Sequence, residues 1–449
     1  MGSKILHTVL IEKLIPGGLG LGRLADGMVV LVRYVLPGEE VVVREVNSKK
    51  DFITATLQKI LTKSPDRINP PCHLYGRCGG CDLQHAAYNV QTRLKKEILT
   101  ESLQRAAGKI FSDADKIIQP VLASPEEFAY RQRIRLQVEE KGQYGFFRTG
   151  SHVLEPVSKC LLARDILNTV LGQLHSNESF TYLVKQCAAI ELLYNPGSED
   201  TIMLLHFKRK PRPKDSILSA DLVNNIAELS TILMQVEGYG LYDPPGQTFV
   251  SSPPHLSQTI SLVNLEEDIN LIWEAGGFCQ VNLAQNRNLI NLVLDMTQNG
   301  PHNRVLDLYC GYGNFSLAVA HIAEEVIGID GQNSAIRSGK RNAELNDIHN
   351  CHFEKKQVLK GVKDLIAAKQ TFDTVILDPP RQGAVDIVPV FPGLEAAQII
   401  YISCNPATLA RDLAILCSQG YALSYLVPVD MFPHTHHMES VALLKRLTQ

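Results

Sequence analysis

The chain has 449 residues, of which 45% are hydrophobic and 20% are charged. This length exceeds that of one typical domain, so we expect two or three domains with substantial cores. The formal net charge of -3 excludes a uniformly basic coat for nucleic acids but is compatible with local basic patches. No apolar run approaches the roughly 20 residues of a membrane span, and the N-terminus lacks a secretory apolar stretch. We therefore expect a cytoplasmic protein that makes no membrane contact.

Residues 1–67 contain short apolar runs, such as 28–32 and 41–43, separated by glycine turns. About five strands in such a segment favour a small closed barrel of the OB type, which commonly binds oligonucleotides. Its basic residues include Lys13, Arg23, Arg33, Arg44, Lys49 and Lys50. The Pro-Gly-Gly-Leu-Gly-Leu-Gly-Arg segment at 16–23 resembles a TRAM domain, which implies RNA binding. The alternative is a barrel that only packs against its neighbour.

The central residues, 68–270, begin with Cys72, Cys78 and Cys81, a cluster that more often binds metal than forms disulfides in a chain without a secretory signal. A helix is predicted near 86–107. Strands are predicted at 131–138, 145–148 and 201–206, followed by a basic loop at 208–214.

Two basic patches in this central region are candidates for contact with phosphates. In the first, Arg131, Arg133 and Arg135 alternate with other residues, as they would on one face of a strand. The alternative is a solvated strand edge that is kept charged against aggregation. The second patch consists of Lys208, Arg209, Lys210, Arg212 and Lys214.

Residues 271–449 alternate strands and helices, which predicts a parallel, doubly wound α/β sheet with ligands at the carboxyl ends of its strands. Strands are predicted at 304–308, 325–329, 374–377 and 399–403, and helices from 315 and through 334–346.

A glycine turn at 309–314 follows the first of these strands, but it lacks the dinucleotide fingerprint Gly-x-Gly-x-x-Gly. It resembles the first motif of Rossmann-like methyltransferases that use S-adenosylmethionine. Gly311 and Gly313 allow the backbone to approach a ligand closely. Asp330 ends the second strand, where a carboxylate accepts hydrogen bonds from ribose hydroxyls.

Three further motifs begin at Asp378 (Asp-Pro-Pro-Arg), Ser403 (Ser-Cys-Asn-Pro) and His436 (His-His-Met-Glu-Ser-Val). Their order resembles that of the uridine-5 RNA methyltransferase family, and the resemblance spans nearly the whole chain. It implies three domains: an RNA-binding barrel at 1–67, a central α+β iron-sulfur domain at 68–270 and a Rossmann-like methyltransferase domain at 271–449.

By this resemblance, Cys404 is the nucleophile and Glu439 is the base. Carbon 5 of uracil becomes nucleophilic only after a thiolate adds to carbon 6, and a base must then remove the carbon-5 proton. Phe278 is expected to stack on the flipped uracil. The resemblance assigns the binding of S-adenosylmethionine to Gln280, Tyr309, Asn314, Asp330 and Asp378.

Together with the distant Cys160, the cysteine cluster resembles the 4Fe-4S site of several family members. Four thiolates suit such a cluster, and zinc is the alternative. A radical methylase is disfavoured because it uses three closely spaced cysteines and leaves one iron free, whereas Cys160 supplies a fourth ligand here.

The combination of barrel and cluster most resembles the members that act on 23S ribosomal RNA, and transfer RNA is the alternative substrate. A cytosine-5 methyltransferase is disfavoured because residues 378–381 contain no Pro-Cys pair. A non-catalytic RNA-binding factor with a methyltransferase fold would need neither Cys404 nor Glu439. We expect a monomer.

Overall fold

A computed structural model describes residues 5–447, except 109, 110, 112, 113 and 252. Over this part of the chain, no helix has both the length and the apolar character needed to cross a membrane.

Five N-terminal strands close into a barrel in the order β1-β2-β3-β5-β4, which confirms the predicted barrel. The strands are β1 (Leu6–Ile15), β2 (Leu19–Arg23), β3 (Val29–Arg33), β4 (Glu40–Ser48) and β5 (Phe52–Thr62). Alternate side chains, among them Val9, Val30 and Val41, fill its interior. A Cβ atom at Gly22 would lie only 2.3 Å from Val9 Cγ1, so the glycines of β2 allow it to pass close to β1.

Helix α1 (Tyr88–Ala107) follows the barrel, as predicted, and is followed by the short helix α2 (Ala114–Ile117). Two faces of α1 are apolar. Leu94 and Ile98 pack with the barrel, whereas Leu99 and Leu103 join the core of the C-terminal sheet. Helix α1 therefore packs against both the N-terminal barrel and the C-terminal sheet.

The central region forms an eight-stranded sheet in the order β13-β12-β11-β10-β9-β6-β7-β8, and its strands and helices make it an α+β unit. The strands are β6 (Arg133–Val138), β7 (Tyr144–Phe147), β8 (Leu154–Pro156), β9 (Cys187–Asn195), β10 (Asp200–Phe207), β11 (Leu229–Val236), β12 (Gly240–Asp243) and β13 (Thr248–Val250). Helices α3 (Asp165–Leu174), α4 (Glu178–Val184) and α5 (Pro213–Asn225) cover one face.

The structure corrects the prediction for the arginine strand. β6 lies inside the sheet, between β7 and β9, and is not an edge strand. The guanidinium groups of Arg133 and Arg135 both contact the buried carboxylate of Glu191 on β9. The alternative of a solvated strand edge is therefore wrong, and Glu191 pairs with two of the three arginines, although the Arg135 side chain is 52% exposed. Their partner is distant in sequence, which is why alternation alone was misleading.

The hairpin of β14 (His255–Ile260) and β15 (Ile269–Glu274) precedes α6 (Leu283–Gln298) and a seven-stranded sheet of order β18-β17-β16-β19-β20-β22-β21. The sheet consists of β16 (Arg304–Leu308), β17 (Glu325–Asp330), β18 (Cys351–Lys355), β19 (Thr374–Leu377), β20 (Gln398–Ser403), β21 (Tyr421–Val429) and β22 (Glu439–Arg446). The helices are α7 (Ser316–Ala320), α8 (Asn333–Leu345), α9 (Val358–Ala367) and α10 (Pro406–Ser418), with a 3₁₀ helix at Val388–Leu394.

The first five strands in this sheet order are parallel, and β22 runs antiparallel to β20. The predicted α/β fold is therefore confirmed, whereas the antiparallel β22 departs from the parallel sheet that the sequence predicted. The carboxyl ends of the parallel strands face one side of the sheet, where ligands bind in such folds.

Candidate active site

A cleft of about 920 Å³ opens at the carboxyl ends of these strands. Its lining contains every catalytic and cofactor residue predicted from the sequence, together with the predicted stacking residue: Phe278, Gln280, Tyr309, Asn314, Asp330, Asp378, Cys404 and Glu439. Positions separated by as many as 161 residues in the chain thus meet in one cavity.

One end of the cleft is built by the turn after β16. Tyr309, Gly311 and Gly313 have φ angles of 63°, 58° and 92°, in the left-handed region that favours glycine. A Cβ atom at Gly313 would lie 2.9 Å from Phe353 Cζ, so this position accepts no side chain without movement.

Asp330, at the end of β17, fixes this turn. One oxygen of its carboxylate accepts a hydrogen bond from the Gly311 amide at 3.2 Å, and the other accepts one from the Gln332 amide at 2.7 Å. Asn314 is held nearby by a reciprocal pair of amide hydrogen bonds with Asn286 of α6, at 2.9 and 3.0 Å. The polar groups at this end are therefore positioned by their own hydrogen bonds.

Cys404 lies at the other end, between the last residue of β20 and the first turn of α10. The Asn405 side chain caps that helix by accepting from the Ala407 amide, and its amide group donates to the Arg381 carbonyl at 3.1 Å. Because Ser403 of β20 pairs with Ser440 of β22, the antiparallel register brings Glu439 alongside Cys404.

The ionisable groups of the cleft are crowded and largely out of water. Burial, together with the nearby Asp307 carboxylate, raises the pKa of Asp378 to about 7. Burial, followed by repulsion from Asp378, holds the pKa of Glu439 well above its ordinary value, with Arg381 opposing the shift. The pKa of Cys404 rises to about 11 because the thiol is desolvated and lies near the negative charges of Glu439 and Asp378.

Three cleft residues were not assigned a role from the sequence. Arg381 is the cation that lowers the pKa of both Cys404 and Glu439; its place in the Asp-Pro-Pro-Arg motif was the available signal. His437 also lines the cleft, and its pKa falls to about 3, first through burial and then through His436, Arg381 and Arg131, which keeps it neutral. Phe432 had no recognisable signal in the sequence.

A second cavity, of about 280 Å³, is lined by Cys72, Cys78, Cys81 and Cys160. Burial raises the pKa of Cys78 to about 11 and that of Cys81 to about 12. Among the described residues, no three or more Cys, His, Asp or Glu side chains form a group that could hold a single metal ion.

The same cavity contains the guanidinium of Arg131. Its Nε atom is buried and has no hydrogen-bond partner within the described part of the chain. A cation that lines a thiol cavity suits an anionic occupant.

Comparisons with known proteins find similarity to RNA methyltransferases over most of the chain. A family model described as tRNA (uracil-5-)-methyltransferase matches residues 95–447. The 23S rRNA (uracil(1939)-C(5))-methyltransferase RlmD of Vibrio parahaemolyticus is 34% identical over 98% of this chain and 96% of its own length. An uncharacterised RNA methyltransferase of Aquifex aeolicus is 33% identical, with 97% of each chain covered.

A solved structure is also similar to this chain. The tRNA (uracil-54, C5)-methyltransferase of Pyrococcus abyssi, in complex with S-adenosyl-L-homocysteine, superposes with a TM-score of 0.72 at 25% identity. The superposition covers 98% of this chain and 100% of the other.

Proposed function

This chain belongs to the tRNA (uracil-5-)-methyltransferase family, and we propose that it methylates carbon 5 of one uracil in 23S ribosomal RNA through a covalent adduct with Cys404. S-adenosylmethionine-dependent RNA uracil-5 methylation follows from the family and its relatives. The full-length match to an enzyme named for 23S rRNA favours that substrate. The similar solved structure is named for tRNA, which makes tRNA the second candidate.

The observation that carries this proposal is the meeting of a thiol and a carboxyl group in one cleft. Cys404 and Glu439 approach through the pairing of β20 with β22, and both line the cavity. Alkylation of uracil at carbon 5 requires a nucleophile at carbon 6 and a base at carbon 5. Because these two ring carbons are adjacent, a thiol and a carboxyl group that lie close together fit this chemistry.

The proposed reaction begins when the Cys404 thiolate adds to carbon 6 of the uracil. The electrons of the ring double bond move onto the carbonyl oxygen at carbon 4, and the resulting enolate makes carbon 5 nucleophilic. After carbon 5 takes the methyl group by displacing S-adenosylhomocysteine, Glu439 removes the carbon-5 proton, the ring double bond returns and the thiolate leaves. Arg381 favours the thiolate form of Cys404 by its positive charge.

We assign the binding of S-adenosylmethionine to Gln280, Tyr309, Asn314, Asp330 and Asp378, which line the cleft. When bound, it supplies the methyl group as a positively charged sulfonium. Asp330 and the turn after β16 suit the nucleoside part because a carboxylate at a strand end accepts ribose hydroxyls. The acidic lining suits the positive charge.

Phe278 is the proposed stacking partner of the flipped uracil. Its side chain is 65% exposed although it is large and apolar, and it borders the cleft. An exposed aromatic ring at the entrance of a cleft is suited to stack on a base that has left its helix.

We propose that the four-cysteine cavity holds a 4Fe-4S cluster, with zinc as the alternative. Four thiols line one cavity with the side chain of Arg131, whose Nε atom is buried and unpartnered among the described residues, and a cluster held by four thiolates carries the negative charge that this cation would balance. When bound, the cluster would cross-link residues 72–81 to residue 160.

The remaining parts of the proposal concern RNA binding. We propose that the chain consists of three units, at 1–67, 68–270 and 271–449. The barrel acts as a TRAM-type RNA-binding module. The enzyme acts as a monomer. Lys49 and Lys50 of the barrel are exposed, so they are available to phosphates.

The decisive experiment compares two variants on a 23S rRNA transcript that contains the equivalent of uridine 1939. Cys404→Ala should abolish methylation and the covalent complex. Glu439→Gln should transfer the methyl group but retain the RNA on Cys404 through denaturing gel electrophoresis. Cys417→Ala is the matched control because Cys417 is a half-buried thiol outside the cleft lining. Substantial methylation by Cys404→Ala refutes the covalent adduct with Cys404. Methylation of tRNA but not of the 23S rRNA transcript refutes 23S rRNA as the substrate.

A further inference from the structure

Helix α1 has a third face that is polar and buried, although polar side chains normally face solvent. Gln91 and Lys95 lie one turn apart on this face, and both are fully buried. The face contacts residues 430–437, the segment that connects β21 to β22 and that we call the 430–437 loop. Glu439 follows this loop as the first residue of β22.

Gln91 holds the loop at His434. Its side-chain oxygen accepts a hydrogen bond from the His434 amide at 2.8 Å. Its side-chain nitrogen donates to the Ala86 carbonyl at 2.9 Å and lies 3.0 Å from His434 Nδ1. His434 has a φ of 67°, a left-handed conformation that a residue with a side chain adopts only when its surroundings impose it.

Lys95 holds the loop at two points. Its ammonium donates to the Asp430 carboxylate at 2.6 Å and to the Phe432 carbonyl at 3.1 Å. The side chains of Lys95 and Asp430 are both completely shielded from solvent. Because the desolvation cost of such a pair offsets much of its attraction, stability alone is a weak explanation for a buried ion pair, whereas a fixed geometry is a better one.

The contacts continue from Lys95 towards the proposed base. The Phe432 carbonyl also accepts a hydrogen bond from the Thr435 hydroxyl at 2.9 Å, and that hydroxyl accepts one from the His437 amide at 3.2 Å. Two residues of the loop, Phe432 and His437, line the cleft with Glu439. A displacement at the α1 end therefore reaches the cleft through a short chain of hydrogen bonds.

We propose that Gln91 and Lys95 are positioning residues that hold Glu439 at the distance required for proton removal from carbon 5. This inference rests on the proposed function of Glu439. Neither residue lines the cleft, so each acts through the 430–437 loop and not through the substrate. The consequence is that a helix preceding the methyltransferase motifs by about 200 residues controls the last chemical step.

The test uses Gln91→Met in the full-length protein, because methionine keeps the size of the side chain but removes its hydrogen bonds. The matched control is Gln104→Met, the same change at an exposed position of the same helix. If Gln91→Met does not fold, Lys95→Met combined with Asp430→Asn replaces it. That pair removes both charges at similar volume and leaves no unpaired buried ion.

The 23S rRNA transcript described above is the substrate for each variant. We expect kcat to fall by about tenfold or more and KM for RNA to fall with it, so that kcat/KM stays within about twofold of the wild type, because the slowed proton removal follows irreversible methyl transfer. Methyl transfer in the first turnover should stay close to the wild-type rate, so the covalent RNA adduct should accumulate during turnover. Gln104→Met should match the wild type in every measurement.

Two results overturn this inference. One is a folded Gln91 or Lys95/Asp430 variant whose kcat and adduct level match those of the wild type. The other is a loss of first-turnover methyl transfer in parallel with a lower melting temperature, which would indicate a purely structural role. A separate outcome tests the proposed function of Glu439 itself, which fails if Glu439→Gln in the otherwise wild-type chain traps no adduct. This result distinguishes a failure of the proposed base from a failure of the positioning role of Gln91 and Lys95.

Discussion

The titration of Cys404 provides a direct test of the electrostatics in the cleft. Burial and the neighbouring carboxylates raise its pKa from 9.0 to about 11. The thiolate is the form that reacts with an alkylating agent. Raising the pKa therefore moves the rise of the alkylation rate to higher pH. We expect the alkylation rate for Cys404 to keep increasing about tenfold per pH unit up to pH 10, where the rate for an ordinary thiol already approaches its plateau.

The size of the effect follows from the fraction of thiolate. At pH 8, a thiol with a pKa of about 11 is ~0.1% ionised, whereas a thiol with the ordinary value of about 9 is ~10% ionised. The ligand-free enzyme should thus hold Cys404 about 100-fold less ionised than an unperturbed thiol. Glu439→Gln removes a negative neighbour and should lower the pKa, whereas Arg381→Gln removes the positive neighbour and should raise it.

The assay is alkylation by iodoacetamide between pH 7 and 10, followed by mass spectrometry of the peptide that contains Cys404. The slope of the logarithmic rate against pH is the quantity to compare, because limited access to a half-buried thiol lowers the rate equally at every pH. A short peptide with a single cysteine is the control. An alkylation rate for Cys404 that levels off between pH 9 and 10 as the rate for the control peptide does, or pKa shifts of the same sign in Glu439→Gln and Arg381→Gln, would refute these electrostatic assignments.

Three other predictions address parts of the chain outside the cleft. Anaerobically purified protein should contain about four iron atoms per chain and lose them on Cys160→Ala but not on Cys187→Ala; stoichiometric zinc without iron would contradict this. The double variant Lys49→Glu with Lys50→Glu should reduce the salt dependence of RNA binding by the equivalent of about two phosphate contacts and leave the affinity for S-adenosylmethionine unchanged. If the logarithm of RNA affinity falls equally steeply with salt in the variant and the wild type, the barrel lysines do not contact RNA. Leu99→Ala should lower the free energy of unfolding, measured in urea, by about 2–5 kcal/mol. Leu10→Ala, at an exposed position, should have little effect. Similar losses of unfolding free energy in the two variants would show that α1 does not pack in the C-terminal core.

The parts of the fold that were predictable carry local signals. Strand β19 was predicted with its observed bounds, Thr374–Leu377, because four buried apolar residues are followed directly by an Asp-Pro-Pro sequence. The barrel was predictable because glycine turns separate its short apolar runs. Since the carboxyl ends of parallel strands face the same side, motifs at strand ends were also expected to meet.

The parts that were missed depend on partners distant in sequence. Arg133 and Arg135 were predicted as a basic face, yet their charges are balanced by Glu191, more than fifty residues later. Polar residues on α1 look like an ordinary solvated face, and Gln91 and Lys95 find their partners more than 330 residues later, in the 430–437 loop. No local periodicity encodes such pairings.

The charge balance of the cleft links its electrostatics to the order of the reaction. Asp307 and Asp378 have pKa values raised to about 7, and that of Glu439 is raised well above its ordinary value. In the ligand-free cleft, burial therefore shifts Glu439 towards its protonated form, and only the ionised form can act as a base. A cation bound beside these carboxyl groups stabilises their ionised forms, and S-adenosylmethionine carries such a charge. We expect its binding to release protons from the cleft and to favour the ionised form of Glu439, which the proposed removal of the carbon-5 proton requires.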